Sequence, residues 1–293
     1  MLKKVLNKLS EYKKIILSKL GIKKNFEING HSIQMDYASN IPDFTNHHLK
    51  YDRFLPHLVK YLPKNSLVID VGANVGTTVI AMATSNNEIE YLSIEADESF
   101  FKDLKKNIEQ AKKKEKNLKI SILNEFVGKN ITGVSLIGNG STKKAQLGQG
   151  NIISKPLNKI IQNLNYENKL ISLIKSDVDG YDWDVISSSY ELLSHRPYIY
   201  FECQYDDENQ YIKFKEMFLG ILSLGYLNFA FFDNYGEYIC TVNDQAKIFD
   251  LLNYVKKQNF NHSTRTVYYY DIFVFSSDNE KEGKQIINEY NMF

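Results

Sequence analysis

From Leu67 onward, short apolar runs alternate with amphipathic stretches. Ser66-Leu67-Val68-Ile69-Asp70-Val71 reads as a buried strand, and 76–85 as a helix. Tyr91-Leu92-Ser93-Ile94 predicts the next strand. A long helix is expected over 97–113, with Asp97 or Ser99 near its N-cap, and a third strand over 118–123. Four further strands are expected at 170–175, 198–201, 226–232 and 267–275, several separated by helices over 156–164, 181–193 and 207–224. Seven apolar strands alternating with helices predict an α/β fold with a mainly parallel sheet covered on both faces.

The flanks read differently. Leu2, Val5, Leu9, Tyr12 and Ile16 recur at spacings of 3, 4, 3 and 4, an a/d seam on one helical face, with Gly21 as its C-cap. Residues 1–24 thus form a basic amphipathic helix with three open readings: pairing into a homo-oligomer, lying on an anionic membrane surface, or folding onto its own domain. Residues 25–66 form an N-terminal substrate or cap segment with a strand pair around Phe26–Tyr37, a loop holding Pro42 and a helix at 51–61. The main domain spans 67–293. Within it, the four-glycine stretch 138–151 is expected to be a loop. Residues 233–266 are an insertion with a hairpin and a helix at 243–257, placed over the active site.

Charge narrows the function classes. Lys plus Arg number 36 and Asp plus Glu 35, a net charge of +1 over 293 residues. So even a balance disfavours a duplex nucleic-acid binder, which needs many phosphate-neutralising cations. Residues 1–24 hold eight lysines against Glu11 alone, so the remainder is net acidic. The two cysteines, Cys203 and Cys240, form no CxxC pair, which fits a reducing, cytoplasmic setting. No apolar run approaches the ~20 residues of a membrane span.

The most informative stretch is Asp70-Val71-Gly72-Ala73-Asn74-Val75-Gly76, where a strand enters a turn without bulky side chains and then a helix. Neither GxGxxG nor GxxxxGK[ST] is present. An acid ahead of the first glycine would repel a pyrophosphate and suits a cationic ligand. Glu95 ends the next strand, where a carboxylate can accept both ribose hydroxyls of an adenosine. Together these describe S-adenosylmethionine, held by Asp70, Gly72, Ala73, Asn74, Gly76 and Glu95, with Asn124 and Asp177 at neighbouring strand ends.

With Ile94-Glu95 and Leu173-Ile174-Lys175-Ser176-Asp177-Val178-Asp179-Gly180-Tyr181-Asp182, this turn resembles the FkbM-type S-adenosylmethionine-dependent methyltransferases over roughly residues 50–230. The resemblance implies a Rossmann-like class I methyltransferase sheet with its last strand antiparallel. It also implies O-methylation, often of sugar or polyketide hydroxyls. Asp179 and Asp182 stand where that family's second motif carries acids, commonly Glu.

Asp70, Glu95, Asn124, Asp177 and Glu202 all fall at carboxyl ends of strands and so share one rim. Asp177 and Glu202 could together bind a divalent cation such as Mg²⁺, or one could serve as base. In a blander role, Asp177 orients the cofactor and Glu202 the substrate. Asp179 is a substrate contact; with Asp182 it could instead cap the following helix. His262 is a candidate base or acceptor contact, and Arg265 a candidate diphosphate contact. His47 and His48 are rivals for the base, whereas His31, His57 and His195 are structural. Lys143 and Lys144 mark the glycine-rich loop as a lid or phosphate contact. The leading expectation is O-methylation of a sugar hydroxyl, on a nucleotide-activated sugar or glycan precursor of a surface polysaccharide. A nicotinamide-dependent oxidoreductase and a non-catalytic scaffold are the alternatives.

Overall fold

The computed structural model describes residues 12–129, 132–138, 143–147, 150–260 and 266–292. Residues 12–19 are helical (α1), and the Gly21 N–H bonds back to the Ser18 carbonyl at 2.8 Å. Ile15, Ile16 and Leu20 are exposed there. The start of the basic seam, residues 1–11, lies outside the described residues. β1 (Lys23–Ile28) and β2 (His31–Asp36) form an antiparallel hairpin closed at Asn29-Gly30. α2 (Ile41–His47) and α3 (Phe54–Leu58) lead into β3 (Leu67–Val71), α4 (Thr77–Ser85), β4 (Glu90–Ile94), α5 (Glu98–Lys114) and β5 (Lys119–Leu123). The Asp97 carboxylate accepts from the N–H groups of Ser99 and Phe100 at 2.9 and 3.0 Å, the cap that starts α5 and is worth about 1 kcal/mol.

β6 (Phe126–Val127), β7 (Thr132–Ile137), β8 (Lys144–Leu147) and β9 (Ile152–Lys155) make a second, four-stranded sheet. The glycine-rich stretch is therefore not simply a loop, since Lys144–Leu147 pairs antiparallel with β7. Four residues between glycines show no local apolar period, so this strand is fixed by its partner rather than by its own pattern.

The chain continues through α6 (Leu157–Asn163), β10 (Ile171–Ser176), α7 (Asp182–Ser187), α8 (Tyr190–Leu193), β11 (Tyr198–Cys203) and α9 (Glu208–Ser223). It ends with β12 (Tyr226–Asp233), β13 (Tyr238–Val242), α10 (Gln245–Phe260), β14 (Tyr270–Ser276) and α11 (Glu280–Asn291). The expected 181–193 helix is thus split in two. At the break the Ser188 and Ser189 hydroxyls both bond the Val185 carbonyl, at 2.9 and 2.7 Å, competing with the helical ladder.

The large sheet has the order β13-β12-β14-β11-β10-β3-β4-β5. β5, β4, β3, β10 and β11 are parallel, and β14 runs antiparallel between β11 and β12. All seven expected strands are present with the last antiparallel, and β13 adds an eighth at the edge through the β12–β13 hairpin. β3 is buried at every position because helices cover both faces. Phe54, Val68, Leu173, Tyr200 and Phe273 pack on one face. Ile69, Ile174, Phe201, Phe214 and Phe218 pack on the other, each such side chain contributing roughly 1.5–3 kcal/mol. α10 joins that second face beside α9 rather than hanging over the rim: Ile248, Leu252 and Val255 are buried in it, and the Tyr205 hydroxyl donates to the Leu252 carbonyl. α11, which the pattern did not announce, bonds the Tyr290 hydroxyl to the carbonyls of Lys50 and Gly236, both at 3.0 Å. It thereby ties the segment before α3 to the β12–β13 turn. Among the described residues no helix is long and apolar enough to cross a membrane.

Candidate active site

Strand order reverses between β3 and β10, and in open α/β sheets the crevice beyond that point is where ligands bind. The Gly72 and Ala73 N–H groups both donate to the Ile94 carbonyl, at 2.9 and 3.1 Å, which pins the turn after β3 to the end of β4. Glu95 completes the frame. One of its carboxylate oxygens accepts from the Asn74 N–H at 2.8 Å and the other from the Asp97 N–H at 2.7 Å. Burial raises the Glu95 pKa, while those two bonds pull it down. Asn124 contributes from behind, donating its side-chain amide to the Glu95 carbonyl at 2.8 Å and the Ala96 carbonyl at 3.1 Å. Ala73 is buried in the turn, and Gly76 is the N-cap of α4.

A cleft with about 580 Å³ of space opens in front of this frame. Gly72, Glu95, Asp97, Asp177 and Asp179 supply its polar wall, and Ile94, Phe100, Phe126 and Val127 its apolar wall. Lys143 reaches over it from the second sheet and is paired with Asp97, its ammonium 5.2 Å from the Phe100 ring centre. These acids, with Glu125 as a fifth that is paired to Lys155, and one already paired cation suit ribose hydroxyls and a sulfonium, with apolar walls for a purine. This donor set fits S-adenosylmethionine and fits a pyrophosphate poorly.

Asp70 is not in that wall. It is fully buried, and its carboxylate lies 2.9 Å from Lys175 Nζ on the neighbouring strand. The same ammonium donates to the Gly72 carbonyl at 3.2 Å and stands 3.5 Å from Asp177. Burial alone would lower the Lys175 pKa, but Asp70 and then Asp177 hold it above the ordinary lysine value. The cation facing Asp70 is therefore the chain's own. Lys175 is legible in the sequence as a lone charge in an apolar strand, Leu173-Ile174-Lys175-Ser176.

Asp177 is half-exposed and lines a second cavity together with Lys50, Asp52, Lys175, Tyr200 and Asp271. Glu202 and Asp271 stand opposite each other on β11 and β14. Burial and then the charge of Asp177 push both carboxyls well above the usual carboxylate range. Asp271, a lone acid in Tyr270-Asp271-Ile272-Phe273, and Asp52 are the further site residues the sequence reading missed. Among the described residues no group of three or more His, Cys, Asp or Glu is arranged to hold a metal ion.

Asp182 does not face the cavity. It is the first residue of α7 and accepts from the Ser176 hydroxyl at 2.6 Å and the Val178 N–H at 3.3 Å, bracing the loop that carries Asp177 and Asp179. Burial, and then Asp177, push its pKa up to about 7. The folded protein thus binds a proton at Asp182 that the unfolded chain releases near pH 4. Stability is expected to fall as pH rises from about 4 to 7. Asp182→Asn should flatten that slope in urea titrations at pH 4.5 and 7.5; an unchanged slope would assign it elsewhere.

The histidines separate cleanly. His48 stacks on Tyr235 with ring centres 3.9 Å apart, and His47 Nδ1 lies 2.6 Å from the Asp43 carbonyl. His57 is buried against the Ile286 carbonyl, and burial lowers its pKa. His262 and Arg265 lie outside the described residues, and the side chain of Lys144 is likewise not described.

The sequence matches the family model described as the methyltransferase FkbM domain over residues 70–227. No curated protein matches the chain. Several solved structures are similar in shape. A TYW2 from M. jannaschii in complex with AdoMet is 12% identical, covers 87% of this chain and 86% of its own, and has a TM-score of 0.45. A methyltransferase FkbM from Methylobacillus flagellatus KT is 12% identical, with 82% and 60% covered and a TM-score of 0.39. A SAM-dependent methyltransferase from Agrobacterium tumefaciens is 8% identical, with 87% and 70% covered and a TM-score of 0.47. The family match runs from Asp70 into β12 and takes in the glycine turn, Glu95 and the Asp177–Asp182 loop, more than half of the sequence; the chain belongs to the FkbM methyltransferase family of S-adenosylmethionine-dependent enzymes.

Proposed function

We propose that the protein is an O-methyltransferase whose acceptor is a sugar hydroxyl, in a nucleotide-activated sugar or glycan precursor of a surface polysaccharide. The observation that carries this reading is Asp177, which lines both the cofactor cleft and the second cavity. An acceptor in the second cavity would meet the cofactor across this one carboxylate. The bound cofactor supplies an electrophilic methyl group on a sulfonium. The chain's part is placement and proton management. Glu95 and the glycine turn fix the cofactor, and Tyr200 and Phe54 wall the acceptor cavity. Asp177 takes the hydroxyl proton as the oxygen is held in line. Asp271, in the wall of that cavity, is placed to hydrogen-bond acceptor oxygens.

Two measurements test this. Calorimetry with S-adenosylhomocysteine should show micromolar binding, lost in Glu95→Ala. No binding by the intact chain would end the reading. Label transfer from S-adenosylmethionine to a panel of sugars should fall about 100-fold in Asp177→Asn, with S-adenosylhomocysteine affinity held within about threefold. Full turnover by Asp177→Asn would move the base elsewhere.

A further inference from the structure

We propose that α1 docks the protein on an anionic membrane surface, with Tyr12, Ile15, Ile16 and Leu20 entering the headgroup boundary and neighbouring lysines meeting lipid phosphates. These four side chains recur at spacings of three and four, so they share one side of the helix. They are 64, 48, 56 and 69% exposed. The helix is attached to its own domain by the other side. There Lys14 Nζ donates to the Asp43 carboxylate at 2.5 Å and to the Asn40 side-chain oxygen at 3.2 Å, and Leu17 and Ser18 are half-buried. A helix folded onto its own core buries its apolar stripe; α1 turns that stripe outward. Among the described residues, five of the fourteen exposed large apolar side chains fall within 12–22, Ile22 being the fifth. Such a concentration marks a contact surface, whereas single exposed apolar residues mark nothing.

Charge decides what the surface meets. Lys14, Lys23 and Lys24 are held by Asp43, Asp103 and the Ser39 carbonyl. Lys13 and Lys19 are exposed on or beside the apolar stripe, with no acid paired to either among the described residues. Their long stems let the ammonium reach a headgroup while the root lies among apolar side chains. Upstream, the sequence adds Lys3, Lys4 and Lys8 against Glu11, the one acid of residues 1–24. Pairing this face with the same face of a second copy would set lysines against lysines. Helix pairs use complementary flanks instead. An anionic bilayer offers apolar depth and negative charge together, with an attraction that salt screens.

The test is co-sedimentation of the full chain with two kinds of vesicle, phosphatidylcholine alone and phosphatidylcholine with about 40% phosphatidylglycerol. At about 0.1 M NaCl, at least about tenfold more protein should sediment with the anionic vesicles, and about 0.5 M NaCl should remove most of that difference. Ile16→Ser with Leu20→Ser should cut the binding at least about fivefold, and so should Lys13→Glu with Lys19→Glu. Both pairs change exposed positions, so melting curves should match those of the intact chain. S-adenosylhomocysteine affinity should also hold, since the cofactor cleft takes no residue from α1. Equal binding to the two vesicle types, no binding to either, or binding that survives either pair of substitutions would overturn the membrane. A dimer on light scattering that Ile16→Ser with Leu20→Ser dissolves, without vesicle binding, would give the face to a second copy instead.

Discussion

Lys175→Ala is expected to destabilise the protein by about 3–5 kcal/mol, the cost of removing one partner from a buried ion pair. Lys175 is 2% exposed and Asp70 fully buried, so neither charge has water to fall back on. The alanine would leave Asp70 buried on the Val68 side of β3 with no compensating charge, and would strip the Gly72 carbonyl of its donor. The loss is a large share of the 5–15 kcal/mol that usually holds a domain together. Urea unfolding at pH 7 should therefore show a much lower midpoint or no folded baseline. The double variant Asp70→Leu with Lys175→Met is the control. Two apolar side chains of similar volume need no partner, and such replacements are commonly neutral or stabilising. Recovery of wild-type stability in the double variant, without recovery of S-adenosylhomocysteine binding, would show that the pair is kept for the site. If Lys175→Ala costs under 1 kcal/mol, the pair is not the strut this geometry makes it.

How much of this could be read in advance follows from where the information lies. The alternation of apolar strands and helices gave the sheet, because burial on both faces leaves a continuous apolar run such as Leu67–Val71. The glycine turn, Glu95 and Asp177 were legible because each sits at a strand end, a position set by local pattern. What stayed hidden depended on pairing across the chain. β8 exists only against β7, and α11 is tied down through Tyr290 to Lys50, far away in sequence. The place of Asp70 before the glycine points to a cationic ligand, but the cation it meets is Lys175. No local signal says that β10 lies next to β3 in the register that sets Lys175 beside it. The second cavity joins Asp52 from the preamble to Asp271 from the last strand, so it becomes visible only once the sheet is assembled.

Gly72→Ala should abolish measurable S-adenosylhomocysteine binding, a loss of at least about 1000-fold. The reason is steric and local. Gly72 has φ of +79°, a conformation that costs an L residue roughly 1–2 kcal/mol by itself. A Cβ there would also lie 1.9 Å from the Asp177 carbonyl oxygen and 2.8 Å from its carbonyl carbon. Both are backbone atoms, so no side-chain rotation relieves the overlap. Either β10 moves away from β3 at its carboxyl end, or the turn rotates. Moving β10 displaces Asp177, which lines both cavities, and breaks the 3.1 Å bond from the Asp177 N–H to the Val71 carbonyl. Rotating the turn pulls the Asn74 N–H off Glu95 and the Gly72 and Ala73 N–H groups off Ile94. Both routes damage the cofactor cleft before the acceptor is involved. Gly76→Ala gives the comparison: its Cβ would meet the end of the Leu104 side chain at 2.8 Å, which can turn aside, although φ is again positive at +92°. It should therefore lose stability by a similar strain yet keep measurable binding. Calorimetry on both variants, with melting curves to confirm that each is folded, separates the two. Equal affinity in both would mean that the contact between Gly72 and Asp177 is not what shapes the cleft.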